Sequence, residues 1–197
     1  MTPRIIIPVR PLAEGKTRLA AALSPAERAD LNRRFFEHVL AVATSVVRKG
    51  DCHVISRSAA VRDAARAAGA QAIVETGNDL NGALAQASAV VAGLSDGPVL
   101  ALSCDLPFVT SEDLAALIRA GCDSDVVAAC DTEGRGTNAL LLRQPGMIRY
   151  RYGPDSIAAH RAAAAEAGLR FAILARPGLA EDIDTPDQFV AMQARTA

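Results

Sequence analysis

Ile5-Ile6-Ile7-Pro8-Val9-Arg10-Pro11-Leu12-Ala13-Glu14-Gly15-Lys16-Thr17-Arg18-Leu19 joins a short apolar run, Ile5–Val9, to a loop carrying Arg10, Lys16 and Arg18. A continuous apolar run of this length, rich in Ile and closed by turn residues, reads as a buried strand. Cations and exposed amides just past such a strand suit a polyphosphate. The loop is not a Walker A motif, because the G-x-x-x-x-G-K-[ST] glycine spacing is missing.

The same kind of run recurs at Cys52–Ser56, Gln71–Val74, Val99–Ser103 and Asp125–Cys130. Between these runs lie Ala-rich amphipathic stretches at Pro25–Arg48, Ala59–Ala68, Leu80–Ala92 and Ser111–Ala120. Their starts are marked. Ser24-Pro25-Ala26-Glu27 is a capping box with proline at the first helical position. Thr110-Ser111-Glu112-Asp113 sets a capping hydroxyl ahead of two early carboxylates. Gly50, Gly69, Gly93 and Gly121 stand near the ends, as helix terminators do. Further on come a strand at Thr137–Arg143, a helix at Asp155–Gly168, a strand at Phe171–Ala175 and a last helix capped by Thr185-Pro186-Asp187-Gln188.

Strand alternating with helix implies an α/β fold, a mostly parallel sheet with right-handed crossovers and helices on both faces. Ligands of such sheets bind beyond the carboxyl ends of the strands. That points to the residues after Val9, Val74, Ser103 and Cys130. With 197 residues and no repeat, low-complexity tract or flexible linker, one domain is the economical reading.

Composition removes several classes. The net charge is −1, so no global field favours nucleic acid or a membrane surface, and an anion site must be local. The four cysteines form no C-x-x-C pair and there are only three histidines, which argues against zinc. Cys52, Cys104 and Cys130 sit in apolar runs and read as small core residues, and reduced thiols suit the cytoplasm. Pro3, Arg4, Pro8 and Arg10 break up any signal-peptide core, and no apolar run is long enough to span a bilayer.

Two acidic features fall where the sheet rule looks for a ligand. Asp105, in Ser103-Cys104-Asp105-Leu106-Pro107, ends the most hydrophobic strand; its rival role is to shape the turn before Pro107. In Glu181-Asp182-Ile183-Asp184-Thr185-Pro186 an extended backbone turns Asp182 and Asp184 to one side and Ile183 to the core. Two like charges so placed call for a cation between them. Taken alone, the D-x-D is more often a turn residue beside a solvated charge. Together with the basic loop, the carboxylates form a complementary set: cations for a triphosphate, and oxygens for the magnesium that bridges it. These are the electrostatics of nucleotidyl transfer.

At this point the chain resembles a known group over nearly its whole length: the MobA-like nucleotidyltransferases, and within them the 2-phospho-L-lactate guanylyltransferase family. The landmarks are Pro8–Leu19, Asp79-Leu80-Asn81-Gly82-Ala83-Leu84, Asp105-Leu106-Pro107 and Gly136-Thr137-Asn138-Ala139-Leu140. They continue with Tyr152-Gly153-Pro154-Asp155-Ser156 plus His160, and Gly178-Leu179 through Asp182-Ile183-Asp184-Thr185-Pro186. Each is weak alone; in this order they are specific.

The resemblance implies a Rossmann-like three-layer αβα sandwich of the nucleotide-diphospho-sugar transferase type. It implies a reaction in which GTP and a phosphorylated three-carbon acid (2-phospho-L-lactate, phosphoenolpyruvate or 3-phospho-D-glycerate) give a diphosphate-linked guanosine and pyrophosphate, on the way to the deazaflavin coenzyme F-420. The acid's phosphate, already anionic, attacks the α-phosphorus without a general base. By resemblance, Asp105, Asp182 and Asp184 hold Mg2+. The loop with Pro8, Val9, Arg10, Lys16 and Arg18 wraps the nucleotide phosphates, and Lys16, Arg18 and Asp105 act in catalysis. Asn81 and Gly82 line the nucleotide pocket, and Thr137, Gly153 and Ser156 grip the acid. Gly153 permits close backbone approach, and Ser156 lies at a helix start where free N–H groups attract anions; a plain helix cap is its other role.

There are departures from the family's usual pattern: Arg10 for lysine, Thr17 for serine, Asp79 for glycine, and an altered loop at Asp131–Arg135. His160 follows Ser156 by one helical turn and could reach the same ligand, although a packing role is commoner. Arg149–Tyr152 could approach an acid or form a solvated edge. Family members can be homodimers, and Phe35 and Phe36 could supply an apolar contact, core packing being the commoner role. Two other functions stay open: a MobA-like transferase with a molybdopterin or sugar-phosphate acceptor, and a nucleotide-binding module without chemistry. The intact carboxylate set speaks against the second.

Overall fold

A computed structural model of the chain describes residues 2–77 and 79–196. Its centre is a seven-stranded sheet in the order β3-β2-β1-β4-β6-β5-β7. The strands are β1 Arg4–Pro8, β2 Cys52–Ser56, β3 Gln71–Val74, β4 Val99–Leu102, β5 Val126–Cys130, β6 Thr137–Leu142 and β7 Phe171–Ile173. All neighbours pair parallel except where β6 runs antiparallel to β4 and β5. The α-helices are α1 Pro25–Val46, α2 Ala59–Ala67, α3 Leu80–Ala92, α4 Ser111–Ala120, α5 Ser156–Glu166, the short α6 Pro177–Ala180, and α7 Pro186–Thr196.

Side chains on a strand alternate faces, and the core divides accordingly. Ile5, Ile7, Leu100 and Leu102 join Phe36, Val39 and Leu40 of α1, Val61 of α2, and Leu114 and Leu117 of α4. Ile6, Ile55, Val99 and Ala101 face the other way, onto Leu84, Ala87 and Val91 of α3 and Ile157 and Ala164 of α5. Helices thus cover both faces, giving the three-layer sandwich the alternating pattern implied. Phe35 and Phe36 are both buried, so neither offers a surface for a second subunit.

The helix starts follow their local chemistry. Ser24 and Glu27 exchange backbone bonds as a capping box, and Thr110 and Asp113 form another. α3 and α4 end where the apolar pattern suggests, whereas α1, α2 and α5 end a residue or two earlier. The Pro8–Leu19 loop is more ordered than a plain loop: Leu12–Glu14 and Thr17–Ala21 are 3-10 turns, and the second buries Leu19.

The reversal of β6 is the departure that matters for function. Asp131 closes the tight turn after β5 by accepting from Arg135 and Gly136 backbone N–H groups at 2.9 and 2.8 Å. The chain then returns antiparallel, so β6 begins where the parallel strands end. Thr137 is thereby set at the ligand edge of the sheet, paired with Cys130.

Candidate active site

Two clefts open along that edge. One, of about 340 Å3, is lined by Pro8, Val9, Arg10, Gly15, Lys16, Leu80 and Asp105 among others. The second, of about 320 Å3, is lined by Arg18, Arg135, Gly136, Gly153, Asp155 and Asp182 among others. Asp184 lines both.

Lys16 is the hub. Its Nζ donates to Asp105 Oδ2 at 2.5 Å and to Asp184 Oδ1 at 2.9 Å, and its side chain is 4% exposed. Burial lowers its proton affinity, but the charges and hydrogen bonds of Asp105 and Asp184 outweigh that and leave the pKa raised above the ordinary lysine range. Lys16 adopts the left-handed backbone region at φ 57°, which costs a non-glycine residue about 1 kcal/mol. Asn32 steadies the approach, donating to the Leu12 carbonyl at 2.7 Å. Arg18 is open to solvent, with Nη1 4.0 Å from Asp184 Oδ2. Arg10 is exposed on the rim of the first cleft.

The Asp182–Asp184 segment is held from below and behind. Ile183 is buried with Leu19, Leu31, Phe35 and Phe189, as the in–out reading of D-x-D requires. Gln188 Oε1 accepts from the backbone N–H groups of Asp184 and Thr185 at 2.8 and 2.9 Å. Upstream, Asn138 donates to the Leu179 carbonyl at 3.0 Å, and Arg176 pairs with the buried Asp113 at 2.7 Å. Gly178 fits beneath because it lacks a side chain: a Cβ there would strike Asp113 and the Phe108 carbonyl. The Asp182 carboxyl is pushed up to about 6, first by burial and then by the charges of Asp105 and Asp184.

The donor set fits a magnesium ion. Asp105 and Asp184 already converge on one cation, Lys16, and Asp182 feels both carboxylates. Among the described residues no three acidic, His or Cys side chains enclose a metal unaided. Magnesium characteristically takes one or two carboxylates and completes its octahedron with water and substrate phosphates.

In the second cleft Gly153 has φ 150°, which an L side chain rarely adopts, and Asp155 is left-handed at φ 52°. These turns bring Ser156 to the first position of α5, where its Oγ lies 2.9 Å from Thr137 Oγ1; both hydroxyls are buried. His160 reaches the same pair from behind, its Nδ1 3.2 Å from Thr137 Oγ1. Tyr152 packs edge-on against that ring at 5.0 Å.

Asn81 and Gly82 sit at the start of α3. The Asn81 amide is engaged on both sides by the Tyr152 backbone, donating at 2.9 Å and accepting at 2.7 Å. Gly82 donates to Asp79, the cap of that helix; the first cleft meets the helix at Leu80 only, and Asn81 and Gly82 line a separate cavity with Ile148 and Tyr150 instead. Of the Arg149–Tyr152 run, Tyr150 turns into the core and Arg151 stays at the surface. Two participants had little signal in the sequence. Gln188 reads only as a helix cap, and Asn32 lies mid-helix with no motif around it. The four cysteines are free, and burial pushes the Cys52 and Cys104 thiols up to about 12, far from a reactive thiolate. No helix among the described residues is long and apolar enough to cross a membrane.

Comparison with known proteins bears on the family and the fold. Residues 3–193 match the family model described as guanylyl transferase CofC like. A phosphoenolpyruvate guanylyltransferase of Chloroflexus aggregans is 37% identical over 188 residues, covering 93% of each chain. One from Rubrobacter xylanophilus is 36% identical, covering 96% of this chain and 92% of its own. Among solved structures, a putative nucleotide-diphospho-sugar transferase from Desulfovibrio desulfuricans superposes with TM-score 0.73 at 18% identity, over 92% of this chain and 81% of that one. A 4-diphosphocytidyl-2C-methyl-D-erythritol synthase gives 0.67 at 14% identity, over the full length of both.

Proposed function

The chain belongs to the CofC-like guanylyl transferase family, and on that premise we propose that it joins GMP from GTP to a phosphorylated three-carbon acid, with release of pyrophosphate, in the biosynthesis of coenzyme F-420. The curated relatives are named for phosphoenolpyruvate, which makes that acid the first to test ahead of 2-phospho-L-lactate and 3-phospho-D-glycerate. One observation carries the reading. Asp184 stands on the shared wall of two clefts, one lined by the basic loop and the other by Gly136 and Gly153. A nucleotide triphosphate in the first and a phosphorylated acid in the second would meet beside it.

The chemistry follows from that placement. An oxygen of the acid's phosphate forms a bond to the α-phosphorus of GTP, and the bond from that phosphorus to the β-bridging oxygen breaks. The nucleophile is already anionic near neutral pH, so no general base is needed. Lys16 and Arg18 neutralise the charge growing on pyrophosphate, and Arg10 meets the nucleotide phosphates at the rim. Asp105 and Asp184, with Asp182 beside them, would hold Mg2+, which supplies charge neutralisation and alignment of the phosphates. Thr137, Gly153 and Ser156 receive the acid's phosphate. Leu80, with Asn81 and Gly82 next to it, closes the nucleotide side.

The test offers GTP and magnesium with each of the three acids in turn and measures pyrophosphate. Release with one acid names the substrate. No release with any of them refutes the proposal.

A further inference from the structure

His160 is fully buried and lines neither cleft, yet it contacts the Thr137–Ser156 hydroxyl pair behind the second one. Its Nε2 lies 2.9 Å from the backbone nitrogen of Arg151. That nitrogen is a donor, so Nε2 must accept. A neutral imidazole then carries its hydrogen on Nδ1. Burial, followed by the nearby Arg151 charge, lowers the ring's pKa to about 4 and keeps it neutral. Nδ1–H is therefore a donor, shared between Thr137 Oγ1, 3.2 Å away, and the backbone carbonyl of Ser156.

A proton count gives the consequence. Thr137 and Ser156 carry one hydroxyl proton each, and one of these is used in the 2.9 Å bond between them. Had the ring presented a lone pair from Nδ1, the second proton would have been drawn inward to it. Because the ring donates instead, that proton is left for an acceptor outside the pair. Thr137 and Ser156 are buried directly behind Gly136, Gly153 and Asp155, which line the second cleft, so a phosphate seated against that wall is the nearest outside acceptor proposed for it.

We propose that His160 is a positioning residue: by accepting from Arg151 and donating to Thr137, it holds the Thr137–Ser156 pair as a hydrogen-bond donor toward the phosphate of the acid substrate. This rests on the assignment of the acid to the second cleft.

Two experiments test it. The first needs no variant. Long-range proton–nitrogen NMR of the intact protein labelled at histidine is expected to show His160 as the Nδ1–H tautomer, shifting when phosphoenolpyruvate is added. An Nε2–H tautomer overturns the proposal. The second compares steady-state kinetics with GTP and phosphoenolpyruvate. His160→Gln keeps an acceptor for Arg151 but has no donor at the Nδ1 position, so the KM for the acid should rise on the order of tenfold. The KM for GTP should hold. His160→Asn, whose amide can donate from the Nδ1 position, should recover most of the loss. In a Thr137→Val background His160→Gln should add nothing further. Equal effects on both substrates, or the same added factor in both backgrounds, would reduce His160 to a packing residue. Absence of pyrophosphate release by the wild-type enzyme with every acid would count instead against the guanylyl transfer itself.

Discussion

Lys16 and Asp105, 89 residues apart in sequence, meet through a 2.5 Å bond from Nζ to Oδ2 at the edge of the sheet. The same ammonium bonds Asp184, so one buried cation bridges two carboxylates and leaves a net negative charge at the site. Under the proposed mechanism a divalent ion would take the place of the ammonium between these carboxylates, and Lys16 would turn to the phosphates.

Lys16 and a divalent ion should therefore compete. With Lys16→Met, the free protein should bind Mn2+ more tightly, on the order of tenfold, because an opposing charge in contact with both carboxylates is gone. Turnover should fall by orders of magnitude at the same time. Titration calorimetry without nucleotide reads the first effect and pyrophosphate release the second. Unchanged or weaker Mn2+ binding would show that the ammonium and the ion do not share a site.

Asp184→Asn removes a charge from the wall common to both clefts while keeping its size. We expect turnover to drop a hundredfold or more, the order seen when a preorganised charge is removed from a transition state. GTP affinity measured in chelator should change little, since Lys16 is still held by Asp105. A binding module without chemistry would show no turnover to lose. Unchanged turnover would remove Asp184 from the metal site.

Much of this arrangement is legible in the chain because it is written in local signals. Ser24–Glu27 and Thr110–Asp113 announce helix starts that the structure reproduces. Ile183, flanked by two aspartates, announces its inward turn through period-two alternation alone. The direction of β6 is not legible: Thr137–Leu142 is buried at every position, and such a run looks the same whichever way it is traversed. The reversal lies in the Asp131 turn, whose acceptor role depends on backbone N–H groups four and five residues on. The Lys16 bonds are equally hidden, since they span 89 and 168 residues and leave no local pattern. The tautomer of His160 hangs on a backbone donor in another segment, Arg151.

Gln188 ties the backbone of Asp184 to the last helix. Its single amide oxygen accepts from Asp184, from Thr185 N–H and from the Thr185 hydroxyl. Gln188→Leu keeps the bulk and leaves those donors without their acceptor, at a cost of about 1–3 kcal/mol. Chemical denaturation should show that loss. Activity should fall further than unfolding explains, because the Asp184 backbone loses its anchor; a fully stable, fully active variant would place the anchor elsewhere.

The buried ring of His160 also sets a pH dependence of stability. Its folded pKa is about 4, lowered from 6.5 chiefly by burial and next by Arg151. An unfolded chain binds that proton more readily, so acid favours unfolding. The neutral ring carries no penalty above about pH 6.5, and the loss grows as pH falls from 6.5 towards 4. For this group alone the difference between pH 7 and pH 4 is about 2–3 kcal/mol. His160→Gln has no such titration, whereas carboxylate protonation is common to both proteins and cancels in the comparison. Urea unfolding of the two at a series of pH values should thus show the wild type losing ground on the variant between pH 6.5 and 4. A difference that stays flat across that window would mean that the ring is protonated in the folded state. In that case Nε2 would carry a hydrogen facing the Arg151 N–H, which the 2.9 Å separation does not accommodate.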